Sequence, residues 1–295
     1  MSQPMGFYTD TTVCIGCKAC QVACHQWNDL DAELAEQPAA DGSSFGATRP
    51  LTGMSYDNTG SLSDVNWRHV KFIEKSELNG QASYNPTDAS RDNLQWLMMS
   101  DVCKHCVNAP CLEVCPTGAI MRTEFDSVYI QQQVCNGCRD CVAACPFGVI
   151  HMGGQENEGK GVAKKCTLCY DRMQNGLTPA CAQACPTASI QFGPIEELKG
   201  RAETRLAQLK GEGFTQARLY GADETILGGL NAFYLLMDEP EVYGLPSNPK
   251  LPSRTVLPSS LWSIGSALAM AVIGLVSFRK RRMDRFAAER REEVR

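Results

Sequence analysis

Apolar and polar residues alternate through Trp67, Val70 and Phe72 and again across Leu94–Met99, which predicts two strands able to pair as a long hairpin. A shorter pair is predicted at Ala119–Met121 and Val128–Ile130. Farther on, Leu198, Ala202, Leu206 and Leu209 recur at helical spacing, so Glu196–Leu209 is predicted as a helix stopped by Gly211 and Gly213, with a strand at Ala232–Met237. Two stretches have no such period. Asp31–Ser63 is rich in Gly, Ala, Ser, Thr and Asp and reads as a surface insertion. Pro240, Pro246, Pro249, Pro252 and Pro258 stiffen a linker, residues 240–256, with no room for a long helix.

After the linker comes Leu257–Phe278, 22 residues without a charge. As a helix it is about 33 Å long at roughly 1.5 Å per residue, enough to cross a hydrocarbon core, and it runs straight into Arg279, Lys280, Arg281 and Arg282. A buried core helix of that length would carry a polar face, so a single transmembrane span over 257–278 is expected. Gly265, Ala267, Ala269, Ala271 and Gly274 would let other helices approach it closely. Charge supports the same division. The whole chain has 28 Lys and Arg against 33 Asp and Glu, yet residues 279–295 hold eight against four, so an acidic body carries a basic tail. An acidic body argues against a nucleic-acid partner. The positive-inside rule places the tail in the cytoplasm and the body across the membrane, although Met1–Asp10 shows no basic n-region, twin-arginine pair or apolar h-region. Export is therefore expected to depend on a partner's signal.

The 295 residues include 16 cysteines, about 5% of the chain, fewer than in a small disulfide scaffold. They fall into four clumps of four. The third is Cys135-x2-Cys138-x2-Cys141-x3-Cys145 followed by Pro146, the spacing in which three thiolates hold one 4Fe-4S cube and the fourth reaches a second. Clump two (Cys103, Cys106, Cys111, Cys115, then Pro116) and clump four (Cys166, Cys169, Cys181, Cys185, then Pro186) keep the pattern with one loop lengthened. Clump one (Cys14, Cys17, Cys20, Cys24) has His25 in place of the proline, which is not a ligand. Zinc ribbons do not require the third cysteine or the proline, and disulfides would strain such tight pairs, so four 4Fe-4S clusters account for all sixteen. The short separation of Cys115 from Cys135 favours local pairing of clumps two and three, leaving one and four as an outer module; spacing alone also permits one with two and three with four. Lys18, Lys104, Arg139, Lys164 and Lys165 lie beside ligands, where they could raise potentials by opposing cluster charge, but read first as solvated charges. His25 and His105 are not read as iron ligands, and His69 and His151 carry no metal signature.

Thr11-Thr12-Val13-Cys14-Ile15-Gly16-Cys17-Lys18-Ala19-Cys20-Gln21-Val22-Ala23-Cys24, Lys104-His105-Cys106, Cys115-Pro116-Thr117-Gly118-Ala119-Ile120, Trp27-Asn28-Asp29, Tyr243-Gly244-Leu245-Pro246 and the single span together resemble the iron–sulfur beta subunit of membrane-bound respiratory formate dehydrogenase. The resemblance implies an α+β fold of two bacterial-type ferredoxin-like modules, one inserted in the other, plus one C-terminal transmembrane helix. Its boundaries would be 1–95 with 155–239 for the outer module, 96–154 for the inserted one, then the linker 240–256, the span 257–278 and the tail 279–295. It implies that Cys14, Cys17, Cys20 and Cys185 hold one cluster, and Cys24, Cys166, Cys169 and Cys181 a second. A third would be held by Cys103, Cys106, Cys111 and Cys145, and a fourth by Cys115, Cys135, Cys138 and Cys141. Some nitrate reductase relatives have Trp at one ligand position; here all sixteen are cysteine. The implied role is non-catalytic, relaying electrons from a molybdenum or tungsten pterin subunit to a membrane cytochrome b and quinone. The body would lie on the periplasmic side of the inner membrane, having folded on its catalytic partner and crossed with that partner's twin-arginine signal. The same local chemistry would serve a hydrogenase or a sulfur-compound reductase, and a soluble polyferredoxin or a zinc protein are rivals of other classes.

Overall fold

The computed structural model describes residues 3–30, 56–78, 81–83, 94–153 and 161–292. Most of the expected insertion at Asp31–Ser63 lies outside them. Residues Met1–Lys250 form one compact unit and Leu251–Arg295 a second.

The first unit is organised around a four-stranded mixed sheet in the order β10-β11-β1-β9. Strand β11 (Ala232–Leu236) is buried at every position, and that continuous apolar run is why it occupies the interior of the sheet. It pairs in parallel with β1 (Met5–Asp10) and antiparallel with β10 (Arg218–Tyr220), while β9 (Ile190–Pro194) runs antiparallel along the other edge of β1. The period of the N-terminal residues does not reveal β1. Gly6 interrupts it, and a Cβ there would lie 1.9 Å from the carbonyl oxygen of Asn231, so glycine lets two backbones meet. Tyr8 stacks on Phe233 with ring centroids 5.5 Å apart. Helix α6 (Ile195–Gly211) follows β9 directly and buries Ile195, Leu198, Ala202 and Leu209. It begins one residue earlier and ends two later than the apolar spacing predicts, with Glu196 and Glu197 in the first turn and Lys210 in the last, each suited to the helix dipole.

Strands β2 (Arg68–Leu78) and β4 (Leu94–Val102) pair antiparallel from Arg68↔Val102 to Ser76↔Leu94, as the alternation predicts, and a short β3 (Gln81–Ser83) extends β2 on its other edge. Two small hairpins complete the unit. One joins β5 (Ile120–Arg122) to β6 (Val128–Ile130), a residue later at its start than expected; the other joins β7 (His151–Gly153) to β8 (Val162–Lys164), strands too short to show a period in the sequence. Short helices α1 (Ala19–Trp27), α2 (Pro110–Glu113), α3 (Asp140–Ala144), α4 (Tyr170–Gln174) and α5 (Ala180–Gln183) lie within or beside the cysteine clumps.

The proline-rich segment differs from the sequence reading. It is not a free linker: Pro240–Tyr243 forms a 3-10 turn, and Pro240, Tyr243 and Leu245 are buried. Lys71 Nζ donates to the Tyr243 carbonyl at 3.1 Å and Tyr220 donates its hydroxyl hydrogen to the Pro246 carbonyl at 2.6 Å, so backbone that lacks a helical ladder is satisfied by side chains. The last helix starts four residues before the expected Leu257: α7 spans Ser253–Glu292 and contains Pro258 in its second turn. Its 40 residues amount to about 60 Å at roughly 1.5 Å each, so the basic tail continues the helix. The stretch long and apolar enough to cross a membrane is Ser259–Arg285. Leu261, Trp262, Leu268, Ile273 and Phe278 are all exposed, the opposite of a core helix.

Candidate iron–sulfur sites

The four clumps share a local geometry. The residue before the second cysteine has a positive φ in each: Gly16 at 67°, His105 at 43°, Gly137 at 72° and Leu168 at 59°. A left-handed residue there curls the loop so that successive thiols face one point. Glycine adopts that conformation without strain, whereas His105 and Leu168 incur roughly 1–2 kcal/mol each and are held by their burial. At Gly16 there is also no space, since a Cβ would stand 2.7 Å from both Met98 Sδ and Phe72 Cε1.

Helices then carry the fourth cysteine of each clump away from the first three. On α1, Cys20 and Cys24 are four residues apart, on one face but a turn apart, and α1 packs beside α5, which bears Cys181. Cys14, Cys17, Cys20 and Cys185 consequently line one cavity of about 300 Å³ with Val70, Ser100 and Ile190. Cys24 lies with the remaining thiols of clump four: burial pushes it well up, and the charges of Cys166, Cys181 and Cys169 add to that. Helices α2 and α3 repeat the exchange. Cys103, Cys106, Cys111 and Cys145 line a cavity of about 320 Å³ with His105, Val128 and Ile150, and Cys115, Cys135, Cys138 and Cys141 line one of about 310 Å³ with Ile120, Ile130 and Ala163. Clump one is thus interleaved with four, and two with three.

None of the sixteen cysteines forms a disulfide in the structure. Among the described residues no three His, Cys, Asp or Glu side chains converge on a point that would hold a single metal ion. A cube with iron at its corners needs four thiolates around a volume, and three of the quartets line cavities. Burial pushes Cys20, Cys141 and Cys169 to about 11 and Cys111 and Cys166 to about 12, so thiolates are disfavoured until cations share their charge. Cys115 is the exception: burial raises it, but hydrogen bonds from Ile120, Thr117 and Ala119 outweigh that and leave it lowered. Donors to sulfur include the amides of Leu168, 3.3 Å from Cys166 Sγ, and Ala163, 3.5 Å from Cys135 Sγ. Asn28 Nδ2 lies 3.7 Å from Cys24 Sγ. Such donors are one lever on cluster potential.

Two of the charges read as solvated are buried. Lys104, between Cys103 and Cys106, is fully buried; its Nζ forms an ion pair with Asp101, donates to Val102 O at 2.7 Å and Tyr234 Oη at 3.2 Å, and lies 4.9 Å from the Tyr234 ring centroid. Lys165 Nζ is spent on the carbonyls of Val128 and, at 3.0 Å, Cys166. A local sequence shows only that these lysines adjoin ligands; Lys104 is met by Asp101 and Val102 of β4 and Tyr234 of β11, and Lys165 by Val128 of β6. Lys18 pairs with Asp57 at 3.4 Å, Lys164 is half-buried and Arg139 is exposed. The buried His105 accepts the Val128 amide at Nδ1, 3.1 Å away, and burial together with the charges of Lys165, Arg122 and Arg68 holds it well below the usual imidazole range, hence neutral. His69 is likewise pushed down by burial and contacts Thr59 through Nδ1 at 3.0 Å. Sequence reasoning missed one residue altogether. Arg68 opens β2 and is completely buried beside the outer cysteines, at a position that alternation marks only as polar.

These cradles define a protein built to carry iron–sulfur clusters. Two family models, each described as a 4Fe-4S dicluster domain, match residues 13–119 and 94–195. Both windows are continuous in sequence, while the cavity lined by Cys14 and Cys185 combines residues from the two ends of that range. The protein is 37% identical to the iron–sulfur subunit of nitrate-inducible formate dehydrogenase from Escherichia coli, over 91% of its own length and 79% of the relative. Against the formate dehydrogenase iron–sulfur subunit of Haemophilus influenzae it is 37% identical over 90% and 76%. A component of the anaerobic dimethyl sulfoxide reductase of E. coli is more distant, 33% identical over 68% of this protein and 78% of the relative. The chain belongs to the family of formate dehydrogenase iron–sulfur subunits.

Proposed function

We propose that this chain is the electron-transfer subunit of a respiratory formate dehydrogenase, holding four 4Fe-4S clusters and performing no bond chemistry itself. The observation that supports this is the lining of three cavities by four thiols each, with Cys24 carried by α1 against α5, which bears Cys181. Cys14, Cys17, Cys20 and Cys185 would hold one cluster, and Cys24, Cys166, Cys169 and Cys181 its neighbour in an outer module. Cys103, Cys106, Cys111 and Cys145 would hold a third, and Cys115, Cys135, Cys138 and Cys141 a fourth, in an inserted one. When bound, these clusters supply one-electron carriers. The chain contributes the rest: short left-handed loops orient the thiolates, apolar walls from β5, β6 and β9 keep water away, and amide donors and buried cations oppose the charge of the ligands. Electrons would enter from a molybdenum or tungsten pterin subunit that oxidises formate and leave through a membrane cytochrome b to quinone. The exposed apolar part of α7 would anchor the subunit, with Arg279–Arg282 in the cytoplasm and the cluster-bearing body in the periplasm.

The greater coverage of formate dehydrogenase relatives favours formate over a sulfur compound as the catalytic partner's substrate. The test is anaerobic purification from detergent-solubilised membranes. Formate-dependent dye reduction, a pterin subunit, a cytochrome b and about sixteen irons on this chain are expected. Co-purification of hydrogenase or sulfur-reductase subunits would replace the substrate, and zinc without iron would remove the relay.

A further inference from the structure

Arg68 is a buried cation whose hydrogen-bonding capacity is mostly unused. It is 0% exposed. Nη1 donates to Ser100 Oγ at 2.9 Å and Cζ lies 4.9 Å from the centroid of the Phe7 ring, but Nε and Nη2 are buried with no hydrogen-bond partner among the described residues. A guanidinium stays charged at any physiological pH, and leaving it in a low-dielectric interior without a counter-charge is costly. The groups whose charges act on it most strongly are Cys181, Cys20 and Cys166. Helix α1, which carries Cys20 and Cys24, one from each quartet of the outer pair, packs against β2, the strand that Arg68 opens. Ser100 makes the link to one quartet direct. Because its oxygen accepts from Arg68, its hydroxyl hydrogen is available to Cys20 Sγ, 3.3 Å away, and Ser100 lines that quartet's cavity.

We propose that Arg68 is the shared counter-cation of the two outer clusters, coupled to one of them through Ser100, and that it raises both reduction potentials. This rests on the assignment of clusters to the four quartets. A 4Fe-4S cube with four thiolates is a net anion, more negative by one charge after reduction, so a fixed cation beside it stabilises the reduced form more than the oxidised form. The unpaired N–H groups on Nε and Nη2 are then donors to which the cluster sulfurs would be acceptors. Arg68 is a positioning residue, since no electron or proton resides on it.

The test is an EPR-monitored redox titration of the intact purified complex, with iron analysis, for the parent, R68Q, R68K and S100A. In R68Q, with iron retained, two of four midpoint potentials should fall, each by at least a tenfold change in its reduction equilibrium, about 59 mV for one electron. The other two should not move. R68K keeps the charge and should shift the same pair by less, and S100A should lower one of them alone. Four unchanged potentials in iron-replete R68Q overturn the proposal, as does an R68K shift equal to that of R68Q, which would reflect packing. Should R68Q lose iron, S100A decides: one lowered potential supports the coupling and none refutes it. A parent complex without four clusters would instead refute the quartet assignment, a separate failure.

Discussion

Asp101 and Lys104 show what a buried charge does beside a cluster site. Asp101 Oδ2 meets Lys71 at 2.9 Å and Oδ1 pairs with Lys104, so one carboxylate is shared by two ammonium groups. Burial alone would raise Asp101, but Lys104 and Lys71 outweigh it and hold the carboxyl below the usual range; burial would lower Lys104, and Asp101 outweighs that to raise it. The signs set a pH window. A depressed Asp contributes stability that is present above its unfolded pKa of about 3.9 and lost on acidification, and a raised Lys contributes stability that is present below about 10.4 and lost at higher pH. The pair's contribution should therefore be flat from about pH 4 to pH 10, checked by denaturant unfolding across that range. D101N strands a buried ammonium and should cost about 3–5 kcal/mol, with loss of the plateau. A D101N protein as stable as the parent would show that Lys104 is solvated after all.

At the scale of the element, α1 is the part on which the outer pair of sites depends. Its two cysteines serve different quartets because four residues span one helical turn, and a loop in its place would hold neither at a defined separation. The expected consequence is spectroscopic. C24S should remove the EPR signal that C166S removes, and C115S the one that C135S removes, each with a loss of about four irons. If C24S instead removed the signal that C14S does, each clump would bind its own cluster and the crossing would be absent. The hairpin of β2 and β4 matters equally, since it brings Arg68, Val70 and Ser100 against the first clump although they lie dozens of residues away in sequence.

For the whole molecule, the proposed function would divide the work between the two compact units, cluster binding falling to Met1–Lys250 and anchoring to Leu251–Arg295. Truncation after Lys250 should leave a body that still binds iron and its catalytic partner but leaves the membrane fraction, because every described site lies within Met1–Lys250. Loss of iron from that truncation would place α7 in the folding of the body. A reporter fused after Arg295 should be active only if it functions in the cytoplasm, whereas one replacing α7 should be active in the periplasm. The opposite pattern would invert the topology.

Much of this was legible in the chain. Cysteine spacing announces clusters because thiolates must arrive at one centre within a few residues, and a long uncharged run announces a span because hydrocarbon tolerates nothing else. Both are local requirements, and periodicity likewise reports the β2–β4 hairpin and α6, whose buried faces repeat at fixed intervals. What needed tertiary structure was whatever depends on partners distant in sequence. Strand β1 has too mixed a pattern to be read, and is a strand because β9 and β11 complete its hydrogen bonds on both sides. Spacing leaves two pairings of clump one open, and the packing of α1 on α5 supports its pairing with clump four. Lys104, Lys165 and Arg68 look like any other basic residues in the sequence, since burial belongs to the packing around a side chain and cannot be found in its own few neighbours.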